Sequence, residues 1–185
     1  MPGPLRHREI SGSITRVAGV LEALILEEPW RVAERVEGEG GVIVALRERR
    51  LGLVPVTAAL RDATVAGSSL VPGFYELSVG LADWASDLSR SVKIGYLHFE
   101  FHGGTGFHAA MGWSAGAVDG GPEFTANEPE GPEYRMVLPG DRHSWAANGL
   151  LRWLGVQSDG TQDEFDVAGL GQHRWTEEWL PSTSA

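Results

Sequence analysis

The feature that most restricts the fold of this chain lies between Tyr96 and Trp113. Tyr96–His102 alternates strictly between two faces, Gly103-Gly104-Thr105-Gly106 supplies turn residues, and Phe107–Trp113 alternates again. Alternation with period two marks a strand, and two such runs around a glycine-rich turn mark a β-hairpin. The pattern puts Leu97, Phe99, Phe101, Phe107, Ala109, Met111 and Trp113 on an apolar face. Tyr96, His98, Glu100, His102, His108, Ala110 and Gly112 form the other face. A lone hairpin is marginal in water, so this one calls for further strands and for helices packed on it.

The flanking sequence supplies both. Pro2 and Pro4 make residues 1–12 read as an irregular arm. Ile14, Val17, Val20, Leu21, Leu24 and Ile25 recur at helical spacing, so a helix is expected there, with Ser11 or Ser13 as its cap. Trp30–Val36 reads as a short helix, Val42–Leu46 as a buried strand, and Leu51–Val56 as a strand or edge segment because of Pro55. Thr57 is placed to cap a helix through Asp62, and Glu76–Arg90 shows a helical apolar face. Ser114–Glu133, rich in Gly, Pro and acids, reads as a long loop. A short strand at Tyr134–Leu138, a helix over Trp145–Leu154 ended by Gly155, and short helical turns at Asp163–Ala168 and Arg174–Trp179 follow. The expected architecture is α+β: a single domain over 13–180, with a mainly antiparallel sheet, a central hairpin at about 94–113 and packed helices. Residues 181–185 read as a frayed tail.

Composition narrows the chemistry. The chain has 185 residues, 42% of them apolar, with seven Trp and six Phe, enough to fill one core. It contains no Cys, which removes disulfides, thiolate metal sites and cysteine nucleophiles. No apolar stretch approaches the ~20 residues of a membrane span, and the first residues lack a secretory h-region, so a cytoplasmic location is expected. The net charge of −10 disfavours nucleic acid and favours a basic protein partner. Lys93 is the only lysine among 15 basic residues, an arginine bias expected of a bacterial genome rich in GC.

Three constellations could carry chemistry. His98, Glu100 and His102 share one strand face, with His108 placed near them across the turn, and such a set could bind a transition metal. The same row could instead satisfy itself by hydrogen bonding, and no cofactor is required by any motif. The C-terminal block Thr161–Trp179 concentrates Asp163, Glu164, Asp166, Glu177 and Glu178 beside His173 and Arg174, pinned by Phe165, Leu170, Trp175 and Trp179. Acids interleaved with aromatics suit packing or a protein interface, where aromatic anchors carry the energy, and the paired carboxylates could also do acid–base work of the glycoside-hydrolysis kind. Gly112-Trp113-Ser114-Ala115-Gly116 has the letters of a nucleophile elbow but follows a hairpin strand and opens no helix.

Two segments resemble a family of small uncharacterised bacterial proteins of actinobacteria and cyanobacteria. Tyr96 through Glu100 to Gly103, Gly104 and Gly106 is similar to its Y-x-x-x-E-x-x-G-G-x-G hairpin. Asp163-Glu164-Phe165-Asp166 through Gly169-Leu170-Gly171, His173-Arg174, Thr176-Glu177 and Trp179 is similar to its C-terminal signature. The resemblance spans about 75–180 and implies no established activity, only an association with toxin-immunity neighbourhoods. It also implies Glu where this chain has His98 and no metal ligand at His102. It therefore favours Glu100, the turn glycines and the Asp163–Trp179 block as the residues that matter. The expected function is an acidic protein-interaction module of the immunity type, neutralising a basic toxin or effector. The alternatives are a metal-dependent enzyme on the hairpin face and a small-ligand module with residues 117–133 as a flap.

Overall fold

The centre of the molecule is a stretch with almost no exposed surface. In the computed structural model, which describes residues 18–48, 50–64, 69–138, 140–158 and 160–182, β1 (Ala18–Glu27) is buried without a break from Leu21 to Leu26. The helix expected here is therefore a strand. Leu21, Ala23 and Ile25 face one layer of helices, and Leu24 and Leu26 face the other. An apolar run buried on both sides carries no alternation, and its spacing coincides with a helical face. Long-range pairing decides between the two. The arm at 1–12, the start of the expected helix through Val17 with its Ser11 or Ser13 cap, and residues 183–185 of the tail lie outside the described residues.

After a 3₁₀ turn at Pro29–Arg31 come α1 (Ala33–Gly38), β2 (Val44–Ala45), β3 (Leu51–Pro55), α2 (Ala58–Thr64) and α3 (Val79–Leu88). The hairpin follows as β4 (Ile94–His102) and β5 (Thr105–Ser114), then β6 (Ala117–Ala126), β7 (Arg135–Met136), α4 (Ala146–Trp153) and α5 (Glu164–Ala168). Among the described residues, seven strands form one sheet in the order β2-β3-β1-β4-β5-β6-β7, antiparallel except for the β6–β7 pair. This is a single α+β domain. Among the described residues no helix is long and apolar enough to cross a membrane. β3 lies inside the sheet, and Pro55 marks only its end.

The expected loop over Ser114–Glu133 is mostly strand. Ser114 pairs with Ala117 across a turn at Ala115 (φ 53°) and Gly116 (φ 81°), and β6 runs on along β5 to Ala126. Its outer residues are exposed, so it shows no apolar alternation. The hairpin turn is tight as well: His102 pairs with Thr105, leaving only Gly103 (φ 61°) and Gly104 (φ 100°) between the strands. Two successive positive φ values demand glycine-like residues.

That register corrects the face assignment. A two-residue loop pairs even positions of β4 with odd positions of β5, as in Tyr96↔Met111 and His98↔Ala109. Tyr96, Met111, Ala109 and Trp113 pack under α1–α3, whereas Leu97, Phe99 and Ala110 pack under α4 and α5. His108, opposite Phe99, therefore lies on the face away from His98, Glu100 and His102.

A row of glycines seats α4. Gly95 pairs with Gly112, and Gly112 with Gly120. A Cβ on Gly95 would stand 2.9 Å from Leu150, and on Gly112 2.7 Å from Trp153. Bare backbone across three strands lets the Trp153 ring lie against the sheet. Lys93, the lone lysine, donates to the Trp153 carbonyl at 3.3 Å and stands over its ring.

The C-terminal block completes the sheet. β3 pairs with β1 only from Ala23 onward. Below that point Val20 N donates to the Arg174 carbonyl at 2.8 Å, and Glu22 N donates to Thr176 Oγ1 at 3.0 Å. A short 3₁₀ turn at Thr176–Trp179 then buries Trp179 among Leu21, Leu53 and Leu170.

Candidate functional site

The hairpin's polar row is present but reaches only three of its four expected members. His98 Nε2 stands 3.5 Å from Glu100 Oε1, and His102 Nε2 stands 3.6 Å from Glu100 Oε2. Both separations are too long for strong hydrogen bonds. His98 is buried, and burial lowers its imidazole to about 4, with the Arg61 charge contributing, so it stays neutral. Among the described residues no three His, Cys, Asp or Glu side chains are arranged to hold a metal ion.

Beside His98, across the β1–β4 pairing, lies an acidic residue in the middle of the apolar run of β1. Glu22 is 2% exposed at the centre of the sheet. Its carboxylate accepts from Tyr96 Oη at 3.0 Å and from Arg61, which also pairs with Glu76 at 2.6 Å. Burial pushes the Glu22 carboxyl up to about 7; Arg61 and the Tyr96 hydroxyl oppose the rise without cancelling it. The signal was available in sequence: a lone Glu inside an apolar run either faces water from a helix or is buried in a strand with partners.

Aromatic rings carry this cluster to the surface. His98 meets Phe107 at 5.2 Å, and Phe107 meets Tyr75 and Tyr134 at 5.4 and 5.6 Å. Tyr75 and Tyr134 stack at 5.7 Å with 10° between their planes. Tyr75 is 45% exposed, and Glu130 and Glu133 near it are exposed. The Tyr134 hydroxyl is buried with no hydrogen-bond partner. Burial raises its pKa, and the nearby Tyr75, Glu130, Glu133 and Glu100 raise it further. Tyr75 is raised for the same reasons, with Glu130 and Glu133 contributing. Glu130 and Glu133 lay in a segment read as loop, Tyr134 opened one read as a short strand, and Tyr75 fell outside the assigned elements, so sequence periodicity marks none of them.

The C-terminal candidates are largely used inside the fold. Asp163 caps α5 through the Asp166 N–H at 2.9 Å and pairs with Arg142, which also holds Asp166 at 2.8 Å. Glu164 is buried and held by Arg152 at 3.1 Å and His143 at 3.4 Å; burial acts to raise its pKa, but the hydrogen bond from its own backbone N–H, then Arg152 and His143, bring it below the ordinary value. Trp179 is 4% exposed, and Glu178 accepts from the Arg174 and Trp175 N–H groups. Glu177, His173 and Arg174 remain exposed. Of the turn glycines, Gly106 is held by the Asn127 side chain at 2.7 Å, and a Cβ there would meet the Glu100 carbonyl at 2.7 Å.

Compared with protein-family models, curated proteins and solved structures, the chain matches none.

Proposed function

We propose that this chain is an acidic protein-interaction module whose surface at Tyr75, Tyr134, Glu100, Glu130 and Glu133 takes a basic segment of a partner protein. A cytoplasmic bacterial immunity protein facing a basic toxin or effector is the setting that suits it. One observation carries the reading: an exposed Tyr75 ring stacked on Tyr134 and ringed by carboxylates. A guanidinium or ammonium gains from an aromatic face and from carboxylates together. The Tyr134 hydroxyl, buried without a partner, marks a polar group that the fold itself leaves unsatisfied there. Arg61 supports the same chemistry from within, since Glu22 and Glu76 already hold one guanidinium beside the patch. The C-terminal block serves this reading as scaffold, because Asp163, Glu164, Asp166, Glu178 and Trp179 are engaged internally.

An oligoarginine peptide tests the proposal by titration calorimetry. Tyr75→Ala and the pair Glu130→Gln/Glu133→Gln should each weaken binding about tenfold, the effect of losing a tyrosine or charged anchor. Glu34→Gln/Glu37→Gln removes two exposed charges from α1 and should change little. Equal weakening by both double variants would mean that net charge alone attracts the peptide, and the proposed surface would be wrong.

A further inference from the structure

The opposite face of the sheet carries a second opening, independent of the acidic patch. Phe99 of β4 and His108 of β5 form its floor, Trp145 and Phe165 its walls, and Arg142 and Arg174 stand at its rim. Its volume is about 620 Å³. That lies within the roughly 300–1,000 Å³ usual for small-molecule sites. The lining is aromatic: His108 lies 4.3 Å from Trp145 at a tilt of 31°, and Phe99 meets Phe165 edge-on at 5.3 Å. Phe101 beside it is 36% exposed.

Most polar groups of this pocket are already occupied. Arg142 is held by Asp163 and Asp166 at 2.8 Å each. The Asn148 amide accepts from Phe165 N and donates to the Arg142 carbonyl, both at 2.7 Å. The Asn127 amide accepts from Gly106 N and donates to the Gly104 carbonyl. Two groups remain. His108 Nδ1 is buried with no hydrogen-bond partner, and among the described residues no carboxylate pairs with the Arg174 guanidinium. His108 is neutral, because burial brings its imidazole down to about 3 with a further contribution from His98.

We infer that this pocket is a binding site for a planar organic anion, its ring body between Trp145 and Phe165, its anionic group on Arg174, and a polar atom at His108. Aromatic walls fit a flat apolar body, for which water is a poor substitute. A single unpaired guanidinium at the rim selects one negative charge. The residues that shape the pocket come from the hairpin, the Arg142–Trp145 segment and the Asp163–Trp179 block, which meet there.

Anilinonaphthalene sulfonate, a flat ring system with one negative charge, is a suitable probe, with phenylnaphthylamine as its uncharged counterpart. Fluorescence titration of the full chain should give saturable one-to-one binding of the sulfonate, and phenylnaphthylamine should bind about tenfold more weakly. Arg174→Gln, an exposed change that leaves the core intact, should cost the sulfonate about tenfold and the neutral probe little. His108→Phe keeps the ring stacked on Trp145 and should weaken both probes a few-fold. Tyr75→Ala should leave both unchanged, which separates this result from the basic-partner test. Non-saturable uptake, equal affinity for the two probes, or no response to Arg174→Gln would each overturn the assignment.

Discussion

Glu22 shows what one residue can impose on a sheet. Its carboxyl titrates near pH 7 in the folded chain, against an ordinary value of 4.5, because the surrounding strands exclude water. The folded state therefore keeps a proton that the unfolded state releases, and stability from this group is complete below about pH 4.5 and lost as pH rises towards 7. His98 and His108 act in the opposite sense. Their lowered values of about 4 and about 3 mean that the unfolded chain takes up protons below 6.5 that the folded chain refuses. Acidification thus gains from Glu22 and loses from the histidines, and a wild-type profile alone would blend the two. Comparison with Glu22→Gln separates them. The stability of wild type relative to that variant should fall by on the order of a few kcal/mol as pH rises from about 4.5 to 7, measured by urea unfolding at each pH. A difference that stays constant across that range would show that Glu22 does not carry the proton.

At the scale of elements, α4 depends on what three strands lack. Gly112→Ala would put a methyl 2.7 Å from the Trp153 ring and force that ring off the sheet. The expected loss is about 1–3 kcal/mol in chemical denaturation, the usual range for overpacking. Trp153→Leu in the same chain should recover part of it, because the two changes share one contact. The elements also divide by how openly the sequence announces them. The hairpin and α3 are legible because each has one clear period: two for Tyr96–Trp113, and a helical face at Leu77, Leu81, Trp84 and Leu88. β1 is not legible, because burial on both faces removes the alternation that marks a strand, and β6 is not, because Gly120, Gly121 and Pro122 interrupt it on an exposed face. The faces of the hairpin depended on the parity of a turn, which composition does not reveal. The candidate site shared these limits: His98, Glu100 and His102 were readable from spacing, whereas Glu22, Tyr75 and Tyr134 meet only through pairing and ring contacts between distant elements.

For the molecule as a whole, charge and shape are distributed unequally between the two sides of the sheet. One side exposes Tyr75 amid Glu130 and Glu133, and the other opens a pocket rimmed by Arg142 and Arg174. With a net charge of −10, encounter with a basic peptide should be accelerated at long range. Stopped-flow association of the oligoarginine peptide should slow markedly as salt is raised through the physiological range, while dissociation changes less, because screening acts on steering before contact. Salt that acted only on dissociation would place the electrostatics in the bound complex and not in its formation.

The pairing of β1 with Arg174–Thr176 has a consequence in time. When β1 leaves the ribosome, 154 further positions separate Glu22 from the threonine that will receive its N–H. Until that segment arrives, the first half of β1 has an unpaired side, and apolar residues such as Leu21 stand beside it. Such an edge is a template for another chain. The late-made segment therefore acts as a clasp on the oldest part of the sheet, and a nascent chain stalled before it should be the form most in need of a chaperone.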